Sequence, residues 1–141
     1  LATTLLMAGD TSGAVEQLEE TLRQAPDFAR AHFALGMILA LNGRHQLASE
    51  RFAAAIANQP DYVEARLGLA DALRVTGRVE DSLSHYQRIV RSDPRFAEAW
   101  FGFVLALSDL GRYREARERL TEAMVILPER PEFEALLAQL P

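Results

Sequence analysis

The sequence predicts an all-α fold: antiparallel helix pairs stacked one on the next, in about 3.5 units closed by a C-terminal capping helix. Three observations carry this. A Gly-Arg pair stands at 43–44, 77–78 and 111–112, inside "LNGRHQLA", "VTGRVEDS" and "DLGRYREA". Proline keeps the same 34-residue interval at Pro26, Pro60, Pro94 and Pro128. Between prolines the apolar residues recur at helical spacing, as in Phe33, Leu35, Ile38, Leu39 and Leu41, then Leu47, Ala48, Phe52, Ala55 and Ile56.

Each unit then reads as two helices of about 13 residues with a tight reversal between them. Residues 1–28 form the remainder of a first unit, 29–62, 63–96 and 97–130 three complete ones, and 131–141 the cap, all in a single array. Glycine marks the reversal because the residue after a helix commonly turns left-handed, which costs glycine nothing. Proline marks the end of each pair, since it cannot continue a helix and biases its predecessor towards an extended backbone. Asp27 and Asp61, directly after proline, are expected to cap the next helix; Arg95 and Glu129 hold that phase in the later units.

Residue size keeps phase as well. Ala14, Ala48, Ser82 and Ala116 recur at one position, with Ala55 and Ala123 seven residues on, and Leu18, Phe52, Tyr86 and Leu120 supply bulk in the complementary slots. Small residues at such points let helix axes approach closely, and overpacking one would cost about 1–3 kcal/mol. In the tail, Phe133, Leu136, Leu137 and Leu140 make one apolar stripe on an otherwise polar helix, as a terminal cap needs. The front has no such cap, so Leu1, Leu5 or Leu6 is expected to be exposed unless missing upstream sequence, a second copy or a crystal neighbour covers it. The start at Leu1 is that expected of a piece of a longer protein.

These residues resemble the tetratricopeptide repeat (TPR) family. "AEAWFGFVLALSDLGRYREARERLTEAMVILP" matches its pattern at Trp100, Leu107, Gly111, Tyr113, Ala116, Leu120, Ala123 and Pro128. Residues 29–62 match at Leu35, Gly36, Leu39, Gly43, Ala48, Phe52, Ala55 and Pro60, and 63–96 at Leu69, Ala70, Leu73, Gly77, Ser82, Tyr86 and Pro94. Leu1, Ala2, Leu5, Gly9, Ala14, Leu18 and Pro26 fit the end of a further unit. Departures fall at Ile89, where the family prefers Ala, and at His32 and Arg66, in its aromatic slot. The resemblance implies a right-handed superhelical solenoid whose first helices line a concave groove.

It also implies which side chains face that groove. They are Arg30, Phe33, Met37, Ala40 and Leu41 in the first complete unit, Glu64, Leu67, Asp71, Arg74 and Val75 in the next, and Glu98, Phe101, Leu105, Ser108 and Asp109 in the last. Thr3, Leu6 and Met7 would extend the surface. Phe33, Leu67 and Phe101 share one phase and form a prospective apolar track, with Met37 as a deformable wall. Glu64, Asp71, Glu98 and Asp109, relieved by Arg30 and Arg74, are expected to favour a partner with Arg or Lys. The TPR clamps that hold the C-terminal carboxylate of chaperones need Lys, Asn and Arg where this chain has Phe33, Met37, Gly68, Glu98 and Gly102, so that activity is not implied.

Composition narrows the rest. Nearly half the residues are apolar and a quarter charged, as in packed proteins rather than disordered tails. The net charge of −5 and scattered Arg residues argue against nucleic acid, and no apolar run predicts membrane insertion. Leu1–Gly9 has neither the basic start nor the cleavage site of a signal peptide. Cysteine is absent, which removes thiolate sites and leaves the compartment, cytoplasmic or periplasmic, open.

No motif for a hydrolase, phosphate loop or zinc site is present, and His32, His45 and His85 fall in different phases. His32 reads as a packing filler, and His45 and His85 as solvated. No enzyme, cofactor or metal is expected. The expected function is a non-catalytic adaptor or scaffold that binds a peptide or helix segment. The alternatives are self-assembly through the N-terminal edge or convex face, and a spacer for a catalytic domain elsewhere.

Overall fold

The structure, a computed structural model, describes residues 11–141. Among these residues it is an all-α repeat stack of eight helices: α1 (Thr11–Gln24), α2 (Ala29–Leu41), α3 (His45–Asn58), α4 (Val63–Val75), α5 (Val79–Ser92), α6 (Ala97–Asp109), α7 (Tyr113–Ile126) and α8 (Pro131–Gln139). First helices run 13 residues and second helices 14, close to the expected length. The chain divides into two compact units between Ala72 and Leu73.

The reversal after each first helix has one geometry. Gly43, Gly77 and Gly111 have φ of 77°, 88° and 74°. Around Gly43, the Arg44 amide donates to the Leu39 carbonyl at 2.8 Å and the Gly43 amide to Ala40 at 3.0 Å. The same pair of bonds recurs at Gly77 and Gly111, so each helix ends in a Schellman motif that satisfies its last carbonyls. A Cβ at Gly77 would meet no atom within 4 Å, so its cost is purely conformational. Gly77→Ala should lower stability by about 1 kcal/mol and Gly77→Asn by less, read as shifts in urea midpoint. Equal stability of Gly77→Ala and the parent would remove this account of the glycine.

The end of each pair is a proline β-turn. The Phe28, Tyr62, Phe96 and Arg130 amides donate to Ala25, Gln59, Asp93 and Leu127 carbonyls at 3.1, 3.1, 3.1 and 3.2 Å, with proline second in every turn. This corrects the capping expectation. Asp27 is the third residue of its turn, the N-cap is Phe28, and no side chain caps α2. Asp61 holds the same place in its turn, before Tyr62, whose carbonyl accepts from the Arg66 amide at 3.1 Å. A four-residue turn moves the helix start one position beyond the aspartate.

The phase of small and large residues is that of the core. Ala14, Ala48, Ser82, Ala116, Ala55 and Ala123 are all fully buried, as are Phe52, Tyr86 and Leu120, with Leu18 nearly so. Ile89 is buried too. Leu41 and Leu47 depart from their stripes: they are 81% and 44% exposed. In the first unit, Ala14, Leu18, Ala31, Leu35 and Ile38 form one cluster and Ala29, Ala55 and Ala65 another. In the second, Phe133 and Leu136 of α8 are buried against the end of the helix pair, while Leu137 and Leu140 are partly exposed.

Candidate functional site

The aromatic slot holds a hydrogen-bond donor in each of the three complete units. Trp100 Nε1 donates to the Pro94 carbonyl at 2.7 Å, Arg66 Nη2 to Pro60 at 3.2 Å, and His32 Nε2 to Pro26 at 2.8 Å. Each side chain is buried and reaches back six residues to pin the proline turn to the first helix. With Nε2 donating, His32 Nδ1 is left as acceptor for Arg51 Nη1 at 3.5 Å. His32 and Arg66 are therefore chemical equivalents of Trp100, not departures filled for bulk. His45 and His85, expected in solvent, are partly buried.

Pinning the turns positions a groove on α2. Arg30, Phe33, Met37 and Leu41 fall at i, i+3, i+7 and i+11, one face of the helix. They line a cavity of about 780 Å³ with Phe28 and Tyr62 from the proline turns and Gln17, Leu18 and Thr21 from α1. Met37 is 43% exposed and Phe28 44%, so the groove offers apolar surface to a partner. Phe33 is less available, being partly buried. Its ring packs on Phe52 at 5.9 Å and on Tyr62 at 5.1 Å between centroids. Burial pushes the Tyr62 phenol above its ordinary range; nearby Arg30 opposes that shift and Glu64 adds to it.

The remaining expected residues lie on α4 and α6. Glu64 is exposed, and Leu67 and Asp71 are partly buried. In the second unit, Phe101 is partly buried against Phe133 at 6.4 Å, with Leu105 partly exposed and Glu98 exposed. Asp109 pairs with Arg74 at 3.6 Å, so its charge is already answered. Thr3, Leu6 and Met7, and the edge at Leu1, Leu5 and Leu6, lie outside the described residues.

Phe28 and Tyr62 were not among the expected lining residues. Their signal was present, since Phe28, Tyr62 and Phe96 keep one 34-residue phase. A second hollow, of about 540 Å³, is lined by apolar residues that include Val15, Leu35 and Leu39 and by two acids and two arginines, Glu19, Glu50, Arg44 and Arg51.

Family models described as tetratricopeptide repeat match residues 1–49, 42–97 and 76–140. The chain belongs to the tetratricopeptide repeat family. TPR structures share its fold. MamA 41-end from Desulfovibrio magneticus RS-1 is similar with a TM-score of 0.88 at 20% identity, over 96% of this chain and 77% of that one. YrrB, a TPR protein with an unusual peptide-binding site, gives 0.84 at 19%, over 94% and 68%. TTC0263, a thermophilic TPR protein in Thermus thermophilus, gives 0.72 at 24%, over 98% and 76%. At these identities the likeness is one of TPR fold alone. No curated protein matches the chain. Among the described residues, no helix of this TPR chain is long and apolar enough to cross a membrane, and no group of three His, Cys, Asp or Glu residues could hold a metal.

Proposed function

We propose that the chain is a non-catalytic protein-interaction module that holds a peptide or helix segment of a partner, acting as an adaptor or scaffold. The observation that carries this reading is the α2 groove, where Phe28, Met37 and Leu41 present exposed apolar surface on a helix pinned at its start. Covering one such side chain is worth roughly 1.5–3 kcal/mol, enough for a few anchors to hold a short segment. YrrB, which shares the fold, is itself a TPR protein with a peptide-binding site.

The α6 face is the second part of the proposal. Phe101 and Leu105 would contact apolar side chains, and Glu98 would favour Arg or Lys beside them. Leu67, Glu64 and Asp71 on α4 are assigned the same kind of contact, with Arg74 and Asp109 as a balanced pair.

The test is selection of a displayed dodecapeptide library on the full chain, followed by titration of a selected peptide. Met37→Ser with Leu41→Ser should weaken binding by about 1–3 kcal/mol. Val125→Ser, at a position 76% exposed and outside the groove, should leave it unchanged. Phe33→Ala is the poorer probe, because that ring also packs on Phe52 and Tyr62. Equal affinity for the double serine variant and the parent would remove α2 as the binding face.

A further inference from the structure

We infer that the α2 groove selects a segment bearing a carboxylate side chain, which sits on Arg30 while apolar side chains of the same segment cover Met37 and Leu41. This rests on the peptide-groove reading above and deepens it, because it assigns the partner's charge opposite to the one the acidic positions imply. Among the described residues that line the groove, Arg30 is the only charged one. Arg30, Glu64 and Glu98 occupy one 34-residue phase, so α2 carries a cation where α4 and α6 carry acids.

That cation stands in an unfavourable place. The first turn of α2 contains no acid, and the positive end of a helix dipole disfavours Arg30 there. A carboxylate laid against this end would meet both the guanidinium and the dipole. Tyr62 lines the same end and, with its phenol held protonated, adds a hydroxyl to that environment.

Glu64 tempers the field, since its charge also reaches Tyr62, but it does not line the groove. Recognition therefore depends on direct contact more than on long-range attraction. The spacing is also specified. Arg30 and Leu41 are eleven residues apart on one helix face, so acid and farthest anchor must lie roughly 16 Å apart. An extended segment spans that in about five residues.

The test selects the displayed random dodecapeptide library in parallel on the 141-residue chain and on Arg30→Glu, with Arg30→Gln as a second variant. Circular dichroism checks helicity in each. Peptides from the parent should carry Asp or Glu at a constant distance from two apolar residues, and changing that acid to its amide should weaken binding about tenfold. Peptides from Arg30→Glu should lose the acid and gain Arg or Lys at the same place. Acid-free or basic peptides on the parent, or an amide exchange without effect while Met37→Ser/Leu41→Ser still weakens binding, would overturn the charge assignment and leave the groove standing. Absence of enrichment, or binding indifferent to Arg30, Met37 and Leu41 alike, would overturn the groove reading with it.

Discussion

Phe52→Ala should lower stability by about 3–5 kcal/mol. The ring is 1% exposed and lies between the backbones of two other helices. A Cβ at Gly36 of α2 or at Gly68 of α4 would come within 2.7 Å of it, so both helices use glycine to meet Phe52. Removing the ring leaves a cavity bordered on two sides by main chain at Gly36 and Gly68, which cannot collapse as side chains do. Phe33 loses its packing partner at 5.9 Å, and with it part of what holds the groove floor. Repeat arrays need not unfold in one step, so a single midpoint can understate the loss. Amide hydrogen exchange resolves it: α2 and α3 should lose protection while α7 and α8 keep theirs. A loss below about 1 kcal/mol would mean that the site relaxes and the glycine contacts are not constraints.

Phe52 was legible in the sequence as a large residue at a phase shared with Leu18, Tyr86 and Leu120. The fold was readable for the same reason throughout. A residue that returns every 34 positions is held by a repeated backbone event, and glycine and proline each have few events to offer. Chemistry within a slot was harder. His32, Arg66 and Trp100 differ in shape and charge, so a pattern keyed to aromatic bulk treats two of them as exceptions. What unites them is an N–H that can reach a carbonyl six residues back, as all three do. The misplaced caps have a different cause. Asp27 and Asp61 have the composition of an N-cap, but proline commits them to a turn.

The candidate site was legible on one helix and less so around it. The TPR resemblance assigns Arg30, Phe33, Met37 and Leu41 to the groove, and these four line one cavity on α2. Periodicity within a helix says nothing of side chains contributed by turns or by the preceding helix, which is where Phe28, Tyr62, Gln17 and Thr21 enter. Nor does it tell a free ring from one that is already packed, as Phe33 is. Counting acids along the chain suggested a basic partner. Charge acts locally, however: Asp109 has Arg74 beside it at 3.6 Å, and Arg30 alone among the described lining residues charges the α2 groove.

Gly102→Ala should destabilise the chain by about 2 kcal/mol, reversing the sign that helix propensity assigns to this exchange. In an unhindered helix interior alanine is favoured over glycine by about 0.5–1 kcal/mol. Gly102 lies inside α6, but a Cβ there would clash with Tyr86 Cε1 and stand 2.7 Å from its Cζ. Tyr86 is fully buried on α5 and its ring cannot deform, so α5 and α6 would have to separate or the ring leave its well. A double-mutant cycle isolates this contact. Tyr86→Leu removes the atoms in the way and costs stability by itself, but in that background Gly102→Ala should be neutral or stabilising, with a coupling above about 1 kcal/mol. If Gly102→Ala instead stabilises the parent, the helices have slack to accommodate the methyl, and glycine at this position does not reflect close approach. If it destabilises equally in both backgrounds, the cost comes from α6 itself and not from Tyr86.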